Sequence, residues 1–286
     1  TAGLSVVAEA LLDPGDEVLL PAPFWPLIRG IIRKRGAAAV EVPFFDRLEE
    51  RASDAGAALE AAVTEKTAAI YLSPHNPTGR ILSDAEIVAV AKVAERHDLW
   101  IWSDEVYEEL YFGAFPPQPV WARADYQTRC VAVHSMSKAY GLAGARVGWA
   151  HGPHEAMKAI RGVQTFSTDC APRPMQLGAA NALREGGAWL EQARRSYEEA
   201  AERTARTLGL RKPDGGTFVF FDVSARRREG EDTLGLLERC LDAGVLLTPG
   251  AASGEAYESW VRLCFTSVRP EELQEALDRI APIVGA

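Results

Sequence analysis

Short apolar runs alternate with amphipathic stretches through the first half of the chain. The apolar runs predict strands and lie at residues 17–20, 38–42, 68–72, 99–102 and 131–133. The amphipathic stretches predict helices and lie at residues 1–12, 27–35, 57–63 and 83–97. Alternation of this kind is typical of an α/β fold. We therefore predict a three-layer sandwich, in which helices cover both faces of a mostly parallel sheet.

The second half opens with a long charged stretch at residues 187–208, which predicts a connecting helix. Beyond it, predicted strands lie at residues 217–221, 245–247 and 261–265. Predicted helices lie between and after them, at residues 234–241 and 271–280. We predict a large domain over residues 1–190. The connecting helix and a smaller α+β C-terminal domain would occupy residues 191–286. Because Thr1 already lies inside a helical pattern, we expect a further N-terminal segment before it.

Composition narrows the class of ligand. The formal net charge of -9 argues against nucleic acid or an anionic membrane as partner, because both require a basic face. The four cysteines are far apart and form no cluster with histidine, so we expect neither a metal site nor a disulfide framework. There is no signal-peptide pattern and no apolar run of membrane-spanning length. These features predict a cytoplasmic enzyme that acts on small molecules.

Lys138 is the most informative single residue. It follows the predicted strand at 131–133, lies beside Ser135 and Ser137, and precedes Arg146 by eight positions. A lysine in this setting is placed to hold an aldehyde cofactor as an imine, while the hydroxyls and the guanidinium suit a phosphate group. A single lysine is more often a solvated surface charge. The combination favours pyridoxal phosphate.

Three motifs fall just after predicted strands. Asn76-Pro77-Thr78-Gly79 follows the run at 68–72, Asp104 follows the run at 99–102, and Lys138 follows the run at 131–133. In open parallel sheets, ligands bind beyond the carboxyl ends of the strands. The three motifs are therefore expected to meet in one active site.

Pyridoxal phosphate accepts carbanion electrons best when its ring nitrogen is protonated, and a carboxylate favours that cation. Asp104 is the candidate, although a lone Asp can equally cap a helix. Tyr107, three residues later, favours the cofactor role. Asn76 and Tyr107 are both candidates to donate to the phenolic oxygen of the cofactor. For Asn76 the alternative is a plain Asn-Pro turn.

The motifs resemble those of the class I/II aminotransferases, which belong to the fold-type I enzymes that depend on pyridoxal phosphate. The resemblance runs from Thr1 almost to the C-terminus. It is carried by Asp13-Pro14-Gly15-Asp16, Asn76-Pro77-Thr78-Gly79, Asp104-Glu105-Val106-Tyr107, Ser135-Met136-Ser137-Lys138 and Gly144-Ala145-Arg146-Val147-Gly148. It implies a homodimer with shared active sites.

The resemblance also implies roles for residues whose own pattern is less specific. Trp25 matches the aromatic residue that stacks on the cofactor ring; the alternative is a core tryptophan. Arg262 matches the arginine that binds the substrate α-carboxylate, and an arginine in an apolar strand is costly without an anion. Its alternative is an internal salt bridge. Thr1 and Ala2 match the start of the helix whose amides hold the cofactor phosphate.

Transamination between an L-amino acid and a 2-oxo acid is the reaction that the resemblance favours. A synthase, lyase, cyclase or oxidase on the same scaffold is the main alternative, and a non-catalytic ligand-binding relative is a further one. The sequence says almost nothing about which substrate side chain is accepted. Asp169 and Arg173 lie in a segment, 165–173, that the resemblance places in a loop near the partner subunit's substrate. Arg173 is a candidate to pair with a distal carboxylate and Asp169 to favour a cationic side chain, but a plain surface charge is the favoured interpretation of each.

Overall fold

The structure is a computed structural model that describes residues 1–45, 55–114, 116–123 and 128–285. The helices are α1 (Ala2–Leu11), α2 (Leu27–Arg33), α3 (Ala55–Glu60), α4 (Asp84–Arg96), α5 (His154–Ser167), α6 (Arg173–Glu185), α7 (Gly187–Leu208), α8 (Thr233–Asp242) and α9 (Pro270–Val284). The strands are β1 (Glu17–Ala22), β2 (Ala38–Pro43), β3 (Thr67–Leu72), β4 (Trp100–Asp104), β5 (Cys130–Ser135), β6 (Gly148–His151), β7 (Phe218–Asp222), β8 (Thr248–Pro249) and β9 (Trp260–Cys264).

The larger sheet has the order β2-β1-β3-β4-β5-β6. All its pairings are parallel except that of β5 with β6, where Ser135 lies opposite Gly148. Helices α1, α2 and α5 pack on one face and α3 and α4 on the other. The predicted three-layer α/β sandwich is confirmed.

Burial on both faces explains why the strands read as continuous apolar runs. In β3, Tyr71 packs toward α1 while Ile70 and Leu72 pack toward α4. Helix α4 begins within one residue of its predicted start. The Ser83 hydroxyl accepts from the Glu86 amide at 3.3 Å, and Glu86 accepts from the Ser83 amide at 2.8 Å, which forms a capping box at the start of α4.

A smaller antiparallel sheet, β7-β9-β8, follows the long helix α7. Helices α7, α8 and α9 enclose its core. The predicted strand at 245–247 is wrong, since only Thr248–Pro249 pairs with β9. The Val245 amide instead donates to the Cys240 carbonyl as the chain leaves α8. The predicted domain boundary after residue 190 falls inside α7, and the division remains a prediction.

The segment 165–173 is also not the continuous loop expected. Residues 165–167 complete α5, and Arg173 is the first residue of α6. Within the described ranges, no helix combines the length and the apolar character that crossing a membrane would require.

Candidate active site

A cavity of about 1400 Å³ opens at the carboxyl ends of β3, β4 and β5. Every site residue predicted from the sequence lines it. These residues are Thr1, Ala2, Trp25, Asn76, Asp104, Tyr107, Ser135, Ser137, Lys138, Arg146 and Arg262. The parallel pairing of β3, β4 and β5 brings their ends to one edge, which explains how positions distant in sequence share one cavity.

Asp104 ends β4 and is buried, with 7% of its surface exposed. Its Oδ2 accepts a hydrogen bond of 2.7 Å from the Tyr71 hydroxyl, whereas its Oδ1 is buried and makes no hydrogen bond. Burial raises the pKa of Asp104, and the hydrogen bond from Tyr71 is the largest of the interactions that oppose that rise. The site thus holds a carboxylate oxygen that lacks a donor.

Lys138 lies in the loop that joins β5 to β6, and its side chain is exposed to the cavity. Its Nζ lies 5.9 Å from the centre of the Tyr107 ring. In the same loop, the Ser137 amide donates to the Ser135 hydroxyl at 3.1 Å. Arg146 has a left-handed backbone (φ 55°) and donates to the Ala143 carbonyl. The loop therefore gathers an amine, two hydroxyls and a guanidinium.

Arg262 reaches the cavity from β9, across from the larger sheet. Its Nη1 donates to Asn76 Oδ1 at 3.0 Å, and its guanidinium lies 4.2 Å from the centre of the Phe218 ring. Burial lowers the pKa of Arg262. Among the described residues, no carboxylate pairs with it, which removes the internal salt bridge considered above. A cation in such a place can accept an anionic ligand.

Tyr107 and Trp25 supply aromatic surface to the cavity. Tyr107 is buried, packs edge-on against Phe218 and has a side-chain hydrogen bond with Thr217. Burial raises the pKa of Tyr107, so its hydroxyl stays protonated at neutral pH. Trp25 is half-buried between β1 and α2. It is therefore not a fully enclosed core tryptophan.

The first turn of α1 borders the same cavity through Thr1 and Ala2. The amides of a first helical turn have no partner within the helix and point out along its axis. Together with Ser135, Ser137 and Arg146, they give this side of the cavity a set of donors suited to a phosphate.

Tyr71 was predicted only as part of a strand, and its contact with Asp104 was not predicted. The signal was present, because a buried tyrosine hydroxyl needs a partner. Sequence reasoning also missed three basic residues of α5 that line the cavity, His154, Lys158 and Arg161. Asp169 lines the cavity as well, whereas Arg173 is not among the lining residues.

The family profile described as "Aminotransferase class I and II" matches residues 1–280. The chain is 31% identical to an aspartate aminotransferase of Musicola paradisiaca over 98% of this chain and 71% of that protein. It is 34% identical to an arginine–pyruvate transaminase of Pseudomonas aeruginosa over 97% of this chain and 71% of that protein. The chain belongs to the class I and II aminotransferases.

Solved structures of aminotransferases also resemble this fold. The aspartate aminotransferase of Thermus thermophilus with maleate superposes with a TM-score of 0.89 at 30% identity, covering 99% of this chain and 73% of that one. The aromatic aminotransferase of Pyrococcus horikoshii gives a TM-score of 0.89 at 28% identity, over 98% and 76% of the two chains. This aminotransferase is thus a transferase of amino groups. The synthase, lyase, cyclase and oxidase alternatives are not favoured.

Proposed function

We propose that this aminotransferase binds pyridoxal 5'-phosphate in the described cavity and moves an amino group from an L-amino acid to a 2-oxo acid. One observation carries the proposal. Asp104 is a buried carboxylate, 7% exposed, that lines the same cavity as Lys138 and has no lysine or arginine paired with it among the described residues. A protonated pyridine nitrogen is a cation that such a carboxylate can bind, so the residues present fit the cofactor.

The other cofactor contacts follow from that placement. Asn76 and Tyr107 would lie at the phenolic oxygen, and Trp25 would stack on the ring. The phosphate would be held by Thr1, Ala2, Ser135, Ser137 and Arg146. When bound, the cofactor accepts the electron pair left on the substrate α-carbon.

The chain's own residues then orient the substrate and move its protons. Arg262 binds the α-carboxylate with its guanidinium fork, which fixes the substrate relative to Lys138. The Lys138 amine would be the base that takes the proton from the substrate α-carbon, and in its protonated form the acid that returns a proton during the transfer. Asp104 stays ionised and holds the ring-nitrogen proton. Tyr107 stays protonated and donates.

Assembly and location complete the proposal. We propose a cytoplasmic homodimer with shared active sites. Met175, Leu177 and Leu183 of α6 are each at least 45% exposed, which supplies apolar surface for a second copy. The named relatives act on aspartate, prephenate, aromatic amino acids or arginine, so the amino acid used by this chain is left open by their names.

A spectroscopic titration tests the proposal. Protein loaded with pyridoxal phosphate is mixed with single amino acids, including acidic, aromatic and basic ones, in the absence of an acceptor. We expect loss of the aldehyde form of the cofactor and one 2-oxo acid per site. Borohydride reduction before substrate is added should attach the pyridoxyl group to Lys138 in a peptide map. A label on another lysine would contradict the proposal, as would ammonia or oxygen uptake without 2-oxo acid.

A further inference from the structure

Tyr71 lies next to the candidate site without lining it. It is 1% exposed and sits on β3, opposite Trp102 of β4 in the parallel register. Its hydroxyl contacts Asp104, which lies two residues further along β4. A phenol hydroxyl buried this deeply needs a hydrogen-bond partner, and here the partner is the Asp104 carboxylate at 2.7 Å.

The contact distinguishes the two oxygens of Asp104. Oδ2 accepts from the Tyr71 hydroxyl, and Oδ1 is enclosed by protein. We infer that Tyr71 is a positioning residue, which holds the Asp104 carboxylate in the orientation that pairs with the ring nitrogen of the cofactor. The inference rests on the proposed function, since it requires pyridoxal phosphate in the cavity.

Charge supports the same role. Burial favours a neutral Asp104, and the Tyr71 bond is the largest of the interactions that favour its ionised form. The Ser73 side chain is a further hydrogen-bonding neighbour of Tyr71. Because the hydroxyl stabilises the carboxylate, it keeps the shared proton on the ring nitrogen rather than on Asp104. Loss of the hydroxyl would move that proton toward Asp104.

The test removes the hydroxyl alone, with Tyr71→Phe. Its dissociation constants are measured for pyridoxal phosphate and for the carbocyclic analogue in which CH replaces the ring nitrogen. We expect binding of pyridoxal phosphate to weaken by about 10- to 100-fold, the usual effect of a hydrogen bond to a charged group. Binding of the analogue should change less than about twofold, because it makes no hydrogen bond to the Asp104 carboxylate.

Two further variants separate positioning from a general effect on the core. Tyr257→Phe removes another hydroxyl from a tyrosine that is 1% exposed, and it should leave the ratio of the two dissociation constants unchanged. In the Asp104→Asn background, adding Tyr71→Phe should also leave that ratio unchanged. Equal weakening for both compounds in Tyr71→Phe would overturn the inference. If the wild type itself bound both compounds equally well, the ring-nitrogen contact would be absent and the proposed function would fall too.

Discussion

At the scale of single residues, the unpaired charge of Arg262 leads to a prediction. It is only partly buried, stacks on Phe218 and donates to Asn76, yet its charge has no carboxylate partner in the described parts of the chain. We expect Arg262→Ala to lower kcat/KM for amino acids by about 10²-fold or more, because a charge-assisted contact is lost in an enclosed site. Steady-state kinetics across the amino acid panel measures this.

Arg262→Lys is the matched control, because it keeps the charge and loses the two-pronged geometry. It should recover part of the activity. An amine that lacks a carboxylate should react equally with the wild type and with Arg262→Ala. Equal losses for this amine and for amino acids would show that Arg262 does not bind the α-carboxylate.

Glu105, beside Asp104, predicts a pH effect on stability. It is 6% exposed, accepts from the Ser103 hydroxyl at 2.5 Å, and burial raises its pKa from 4.5 to about 7. The folded protein therefore binds more protons than the unfolded chain between these values. Stability from this group is fully present below pH 4.5 and is lost as the pH rises through about 7.

We expect Glu105→Gln to remove that loss. Relative to the wild type, the variant should become more stable as pH rises from 5 to 8, by up to about 3 kcal/mol. Urea unfolding at several pH values measures the difference. A constant difference across this range would mean that Glu105 is not protonated in the folded protein near neutral pH.

At the scale of elements, the turn after β3 packs against β7 and the residues before it, so it joins the larger sheet to the smaller one by direct contact. Gly79 has φ 71°, and a Cβ there would lie 2.4 Å from Pro213 Cβ and 2.7 Å from the Phe218 carbonyl oxygen. Its own carbonyl accepts from the amides of Asp214 and Gly215. This turn carries Asn76, so its position relative to β7 also sets where Asn76 meets Arg262.

Gly79→Ala should destabilise the protein by about 2 kcal/mol or more, since left-handed strain and a backbone clash act together. Gly162→Ala is the control of opposite sign. Gly162 lies within α5, and a Cβ there meets nothing within 4 Å. It should stabilise by about 0.5–1 kcal/mol. Chemical denaturation gives both values, and a neutral Gly79→Ala would contradict the close approach.

The sequence predicts elements well where periodicity and burial agree. The strands around Tyr71, Trp102 and Val133 are buried on both faces, so their apolar runs are unambiguous. Helices α5 and α6 were not predicted, and their junction, residues 165–173, was expected to be a loop; most residues of α6 are exposed. The 245–247 run failed as a strand because apolar residues also fill a helix-to-strand connection.

Candidate site residues were predictable where chemistry and strand position coincide, as for Lys138 and Asp104. The Tyr71 hydroxyl contact was not, because it depends on the register between β3 and β4. The bases of α5 that line the cavity were also missed, because α5 itself was not predicted.

For the whole molecule, α6 leads to a prediction about assembly. Leu177 is 60% exposed and Leu183 47% exposed, on a helix with little contact to the remainder of the described chain. We expect a homodimer that buries this surface, and Leu177→Glu should weaken it by about tenfold or more. Analytical ultracentrifugation measures the dissociation constant. Leu246→Glu, at an 82% exposed leucine of the smaller α+β region, is the control. A wild-type monomer at micromolar concentration would contradict the prediction.

The antiparallel strand β6 has a consequence for how the site forms during folding. Ser135 pairs with Gly148 across one short loop, whereas Ile101 pairs with Cys130 and Ala69 with Trp100 across much longer connections. Ordering a short connection costs less chain entropy, and local pairings form early. Lys138 and Arg146 both lie in that short loop. These two of the residues proposed to hold the cofactor therefore belong to the most local of the three strand pairings, which we expect to form before the more distant ones.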